Sequence, residues 1–245
     1  MNKDKVLIII PAYNEEENIG SFLDSMQTSE IAKRADILVI NDFSNDRTEE
    51  IARSKGAKVI GQIYNLGYGS ALQLGYKYAY RNHYDYVLQL DADGQHDASN
   101  LDVLYETITD ENLGYDIVIG SRFLEESVTY KVDGLRLLSI RFFRWIVKII
   151  CKTTITDPTS GLQALNRKAF SHYATYGKFD YRYPDVNMVV QMLLQGYKIG
   201  ECKAVMHQRV AGVSMHSGLW NPLKYMVLMS ISTFAAMLKY KRRAK

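Results

Sequence analysis

Short apolar runs recur along the first half of the chain. Each is closed by turn-forming polar residues and followed by a stretch with helical spacing. Val6 to Ile10 is β-branched and ends at Pro11, and Asn14-Glu15-Glu16-Glu17-Asn18 then predicts a helix with an acidic first turn, the sign the helix dipole favours. Ile37 to Ile40 ends in Asn41-Asp42, and the polar loop from Ser44 leads into a predicted helix from Thr48 to Lys55. Val59-Ile60 is a third short strand, followed by Asn65-Leu66-Gly67-Tyr68-Gly69-Ser70-Ala71 and another helix. Tyr86 to Leu90 and Asp116 to Gly120 continue the alternation. Strand and helix in turn predict an α/β fold with a mainly parallel central sheet, flanked by helices on both faces.

The second half reads in longer units. Leu135 to Lys152 has helical spacing, with Arg141, Arg144, Lys148 and Lys152 on one narrow face. Phe142, Phe143, Ile146, Val147, Ile149 and Ile150 cover the other side, and Trp145 stands at the boundary. This composition suits a membrane interface, and equally a core-packed helix with a solvated basic face. Asp185 to Leu194 predicts a helix closed by Gly196, and Ile199 to Val205 a final strand. Tyr225 to Leu238 is an apolar run shorter than the roughly 20 residues that span a bilayer. Between Lys224 and a basic tail, it suits lying on a membrane, meeting a membrane partner, or docking on the core as a plain terminal helix. The expected organisation is one catalytic domain over residues 1–221 and an amphipathic, juxtamembrane attachment segment over 222–245.

At 245 residues, with 47% hydrophobic and 23% charged side chains, the chain can bury a sizeable core and is not a disordered polyelectrolyte. A net charge of +3 gives no reason to expect a nucleic-acid partner. The distribution says more: Lys239, Lys241, Arg242, Arg243 and Lys245 crowd the C-terminus, which favours an anionic surface. Cys151 and Cys202 have neither metal-ligand spacing nor a paired framework, which fits a reducing compartment. The apolar run after Lys3 and Lys5 is too short for a signal-peptide core.

Candidate chemistry centres on the end of the Tyr86 to Leu90 strand. Asp91 and Asp93 are two apart, so an extended chain points both to one side, and a turn at Gly94 brings Gln95 to the same place. Such an oxygen set suits Mg²⁺ or Mn²⁺, with substrate phosphates completing the shell. The plain alternative is an acidic loop capping a helix that begins near Asp97. Gly67 and Gly69 permit close approach of a phosphate to the next helix's N–H groups, or serve packing alone. Ligands of such sheets bind beyond the carboxyl ends of the strands. Pro11 to Glu15, Asp42, Gly67/Gly69, Asp91/Asp93 and Ser121/Arg122 all fall there. Thr156-Asp157-Pro158-Thr159-Ser160-Gly161 is a tight loop that fixes Asp157 before a proline. The segment from His207 to Met215 offers Arg209 to phosphate oxygens.

The ordered pieces Ile10-Pro11-Ala12-Tyr13-Asn14-Glu15-Glu16, Asn41-Asp42-Phe43-Ser44, Asn65-Leu66-Gly67-Tyr68-Gly69, Asp91-Ala92-Asp93-Gly94-Gln95-His96, Gly120-Ser121-Arg122, Thr156 to Gly161 and Arg209 to Ser214 resemble a family 2 glycosyltransferase. The chain is most similar to the dolichyl- or polyprenyl-phosphate sugar synthases. The resemblance implies the GT-A fold. It places Pro11, Tyr13, Glu15 and Asp42 in the base and ribose pocket, and Asp91, Asp93 and Gln95 on the metal of the donor diphosphate, which Arg209 also faces. Arg122 and Arg136, with Ser139 nearby, would bind the phosphate of a polyprenyl acceptor. Asp157 would orient the acceptor or a neighbouring arginine, and for a sugar hydroxyl acceptor would be the general base. Asn41 departs from the second aspartate of many relatives, and many relatives continue into transmembrane helices.

The activity so implied is metal-dependent, inverting transfer of a sugar, from a UDP-sugar in preference, to undecaprenyl phosphate at the cytoplasmic face of the cell membrane. The product would be a lipid-linked sugar for cell-surface glycans. A small integral membrane partner and a homo-oligomer are compatible with this reading. The alternatives are transfer to a sugar hydroxyl in a polysaccharide and, less well supported, nucleotidyl transfer, which wants a glycine-rich loop where Pro11 to Glu15 stand.

Overall fold

The computed structural model describes residues 4–129, 134–208 and 220–241. Among these residues seven strands form one sheet: β1 (Val6–Ala12), β2 (Asp36–Asn41), β3 (Lys58–Gly61), β4 (Tyr86–Gln89), β5 (Ile117–Ser121), β6 (Gln163–Asn166) and β7 (Ile199–Lys203). Their spatial order is β3-β2-β1-β4-β6-β5-β7. All neighbours run parallel except β6, which lies antiparallel between β4 and β5. The expected α/β fold with a mainly parallel sheet is therefore what forms.

Among the described residues there are eight α-helices: α1 (Ile19–Ser25), α2 (Thr48–Ser54), α3 (Tyr68–Arg81), α4 (Ser99–Thr109), α5 (Gly134–Cys151), α6 (Arg167–Ala174), α7 (Val186–Leu194) and α8 (Trp220–Lys241). Alternation along each strand divides the core. Leu7 and Ile9 of β1 join one buried cluster with Leu72 and Tyr76 of α3, Phe143 and Val147 of α5, Phe170 of α6 and Met229 of α8. Val6, Ile8 and Ile10 join the other, with Phe22 and Leu23 of α1, Ala52 of α2 and Leu101 and Leu104 of α4. Being buried on both faces is why these strands read as unbroken apolar runs.

Four local expectations are corrected. The acidic stretch Glu15 to Glu17 does not begin a helix: α1 starts at Ile19, with no acidic residue in its first turn. The N–H groups of Asn14, Glu15 and Glu16 go instead to side chains of the next loop, Ser44, Thr48 and Asp46. The last strand stops at Lys203, and Val205 and Met206 make only isolated bridges. The short β6 and α6 complete the sheet and one layer where the sequence pattern had predicted neither. On α5, Arg144 turns inward while Phe142, Trp145 and Ile149 stand exposed, so the helix does not divide cleanly into a basic outer and an apolar inner face.

Candidate active site

Several loops meet at the carboxyl end of the sheet. At and beyond the end of β1, Pro11 is buried, Glu15 half-buried and Tyr13 45% exposed. After β2, Asp42 is buried and ties two loops together. Its Oδ1 accepts from Leu66 N–H at 2.8 Å and Gln62 Nε2 at 3.0 Å, and its Oδ2 from Gly67 N–H at 2.9 Å. Burial raises its pKa more than the two backbone donors lower it. Asn41 accepts from Ser44 N–H and donates to Glu49 Oε2 at 3.0 Å. A carboxylate at position 41 would face Glu49 with like charge, which accounts for the amide.

The two glycines of the next loop have different causes. Gly67 has φ +88°, a conformation L side chains seldom adopt. Gly69 is buried, and a Cβ there would lie 2.4 Å from the Tyr181 carbonyl oxygen. Its close approach on that side is to the protein's own backbone, in line with the packing alternative.

At the end of β4, the Asp91 side chain is one-third exposed. Tyr68 Oη donates to its Oδ1 at 2.9 Å, and His96 Nε2 lies 3.8 Å from its Oδ2. Burial works against the carboxylate, but His96, the Tyr68 hydroxyl and the charge of Arg136 outweigh it and hold the pKa below the usual range. Gln89 donates to Tyr68 Oη and to the Gly161 carbonyl, so the buried end of the strand fixes this arrangement. Asp93 Oδ1 accepts from Gln95 N–H at 3.1 Å, closing the turn at Gly94, whose φ is +71°. Asp97, not Asp91 or Asp93, receives the Ser99 N–H at the start of α4. The capping explanation of the acidic pair therefore fails. Among the described residues no group of three His, Cys, Asp or Glu side chains is assembled for a metal. The half-buried carboxylates of Asp91 and Asp93, with Gln95 in the same turn, still fit a hard cation that takes its remaining oxygens from phosphate.

The loop after β5 corrects one further expectation, that for Arg122. The Arg122 and Asp157 side chains are 2% and 0% exposed, and they pair through two hydrogen bonds, Nε to Oδ2 at 2.6 Å and Nη2 to Oδ1 at 2.7 Å. Arg122 is thus a buried clamp rather than an open phosphate ligand. Asp157, engaged on both oxygens, holds the neighbouring arginine, one of the roles the resemblance implies for it. Glu201 of β7 accepts from Thr156 N–H and Asp157 N–H, at 2.7 and 2.9 Å, and Arg144 donates to the Thr156 carbonyl. This pins the 156–161 loop from α5 and the sheet.

On α5, Arg136 is partly buried and Ser139 buried, and the charge of Arg136 reaches both Asp91 and Tyr225. Arg209 and the segment to Met215 lie outside the described residues. His207 leads toward them, its N–H on the Gln95 carbonyl and its Nε2 2.9 Å from Asp97 Oδ2.

The loop before α7 contributes Asp185, which the sequence pattern marks only as a helix start. Burial raises its pKa to about 7; the Tyr225 hydroxyl bound to Oδ2 opposes this, Asp157 adds to it and Arg122 opposes it. Its one sequence signal is a carboxylate after Pro184 at the head of the apolar stretch Val186–Leu194. The roles of Glu201 and Arg144 have no local sequence signal, since their partner Thr156 lies 45 and 12 residues away.

The profile described as glycosyl transferase family 2 matches residues 7–174. The polyprenol monophosphomannose synthase of Mycolicibacterium smegmatis is 25% identical over 227 residues, covering 87% of this chain and 82% of that protein. A UDP-N-acetylglucosamine–dolichyl-phosphate N-acetylglucosaminyltransferase of Methanococcus voltae is 30% identical over 190 residues, covering 68% and 71%. In fold, the glucosyl-3-phosphoglycerate synthase of Mycobacterium tuberculosis, crystallised with Mn²⁺, UDP-glucose and phosphoglyceric acid, superposes with a TM-score of 0.67 at 19% identity, covering 97% of this chain and 80% of that one.

Proposed function

The chain belongs to glycosyl transferase family 2, and from that premise we propose that it transfers a sugar from a nucleotide sugar, UDP-linked in preference, to the phosphate of a polyprenyl lipid such as undecaprenyl phosphate. The observation that carries this reading is electrostatic. Arg136 on α5 lies near enough to help lower the pKa of Asp91 at the end of β4, which supports placing a cation for the acceptor phosphate near the carboxylate for the donor metal. The names of the relatives in Mycolicibacterium smegmatis and Methanococcus voltae support the lipid phosphate acceptor.

Bound at Asp91, Asp93 and Gln95, Mg²⁺ or Mn²⁺ would neutralise the diphosphate and stabilise charge on the departing nucleotide. Tyr68 keeps Asp91 oriented, since its own pKa is raised well above the ordinary value by burial and by Asp91 and it remains a donor. Pro11, Tyr13, Glu15 and Asp42 line the nucleoside side, Asp42 by holding the Gly67 loop in place. Arg136, with Ser139, draws the acceptor phosphate toward the anomeric carbon. A phosphate monoester is largely dianionic near neutral pH, so its oxygen attacks without a strong general base while the bond to the nucleotide diphosphate breaks. Attack opposite the leaving group inverts the anomeric centre. The Arg122–Asp157 clamp fixes the loop behind this geometry, and Arg209 is proposed to face the diphosphate. The lipid acceptor sets the place of action at the cytoplasmic membrane face, and no helix among the described residues is long and apolar enough to cross a bilayer.

Transfer to a sugar hydroxyl is the second reading, favoured by one observation: Asp185, with a pKa near 7, is titratable in the range a general base needs. A donor panel of UDP- and GDP-sugars with undecaprenyl phosphate and Mg²⁺ or Mn²⁺ separates the two. Lipid-linked product is expected, and its absence for every donor, with product on a saccharide acceptor, would replace the first reading by the second.

A further inference from the structure

The outward side of α5 carries Leu138, Phe142, Trp145 and Ile149, exposed by 59%, 37%, 59% and 57%. Steps of four, three and four residues put them on one stripe, while Phe143 and Val147 on the other side are buried. On α8 the pattern recurs. Val227, Ile231, Phe234 and Leu238 are exposed by 53%, 62%, 56% and 50% at the same spacing, with Met229 and Thr233 buried behind them. The helices touch where the Phe143 ring meets Tyr225 edge-on, with centroids 6.4 Å apart. Single exposed apolar residues are ordinary, but a regular stripe on each of two packed helices marks surface that something covers.

The border of the stripes says what kind of surface that is. Arg141, Lys148 and Lys152 beside the first, and Lys224 and Lys239 beside the second, are all exposed. Neither helix contains an acidic residue. A seam for another protein helix commonly carries both signs of charge along its edges, which set partner and register. A border of one sign matches a partner of one opposite sign, as an anionic leaflet presents. Trp145, with an apolar body and an N–H tip, suits the headgroup level.

We propose that α5 and α8 form a docking surface for an anionic lipid bilayer, with the two stripes entering the interface and the flanking cations meeting lipid headgroups. The inference deepens the proposed function and rests on it for one point: Arg136 and Ser139 lie on α5 itself, so docking this helix brings the acceptor side of the cleft to the leaflet that holds the lipid phosphate. Adsorption, however, is measurable without turnover.

Full-length protein is sedimented with vesicles of phosphatidylcholine alone and of phosphatidylcholine with phosphatidylglycerol. Binding is expected to the anionic vesicles and to fall as salt rises. The pairs Phe142→Glu/Trp145→Glu and Ile231→Glu/Phe234→Glu should each lower the apparent partition coefficient at least tenfold, with the melting temperature unchanged. Arg141→Gln/Lys148→Gln, which leaves the apolar residues in place, should weaken binding to anionic vesicles only. Absence of binding to anionic vesicles, or binding that none of these changes weakens, overturns the proposal. A dimer, or a co-purifying small membrane protein, released by the same substitutions assigns the stripes to that partner and overturns it too. Vesicle binding without any lipid-linked product would leave the docking surface standing and remove the proposed reaction.

Discussion

Arg122 and Asp157 hold each other in a two-pronged grip, at 2.6 and 2.7 Å, with neither side chain reaching solvent appreciably. Removing one partner of such a buried pair strands the other charge, which costs about 3–5 kcal/mol. Arg122→Ala and Asp157→Ala are each expected to lower stability by that amount, read from the denaturant midpoint. The double substitution should cost clearly less than the sum. Additive costs would show that the two charges do not depend on each other.

Arg136 behaves differently if it meets the acceptor. Arg136→Ala should raise the apparent KM for polyprenyl phosphate more than that for the nucleotide sugar, since it removes a charge-assisted bond to one substrate phosphate. Initial-rate kinetics with each substrate varied in turn decide it. A larger rise in the donor KM would move Arg136 to the diphosphate.

The contrast between these arginines shows what the sequence could and could not disclose. The strands of the first half were legible because burial on both faces gives continuous apolar runs, as in Leu7, Ile8 and Ile9. The rim residues were legible because a parallel sheet sends every strand end to the same side. β6 was not, since Gln163–Asn166 is short and only two of its residues are buried. Nor was the fate of Arg122, because its partner lies 35 residues away. The exposed stripe on α5 was hidden for a related reason: at helical spacing Phe142 and Phe143 look alike, and only packing shows that one is 37% exposed and the other 0%.

The acidic pair gives a sharper test of the donor site. Asp93→Asn should leave a folded protein and reduce kcat at least a hundredfold, because the donor metal loses a charged ligand. The comparison is of single-turnover rates with Mg²⁺, with Mn²⁺ and in excess EDTA. Unchanged turnover in Asp93→Asn, or full activity in EDTA, removes the metal from the reaction.

Asp185 links stability to pH in a direction opposite to most carboxylates. Its pKa rises from 3.8 in the unfolded chain to about 7 in the fold, so between these values the folded state keeps a proton that the unfolded state has released. Unfolding therefore becomes more favourable as pH rises through that window, and the loss levels off above about pH 7. Asp185→Asn has no proton to lose, while its amide oxygen can still accept from Tyr225. The variant should match the wild type near pH 4 and become progressively more stable relative to it up to about pH 7, by several kcal/mol in total. Paired denaturant titrations across this range check the slope, and a difference that does not vary with pH would remove Asp185 as the linked group. Its turnover then discriminates between acceptors: activity on polyprenyl phosphate should survive the substitution, whereas transfer to a sugar hydroxyl that used Asp185 as base would be lost.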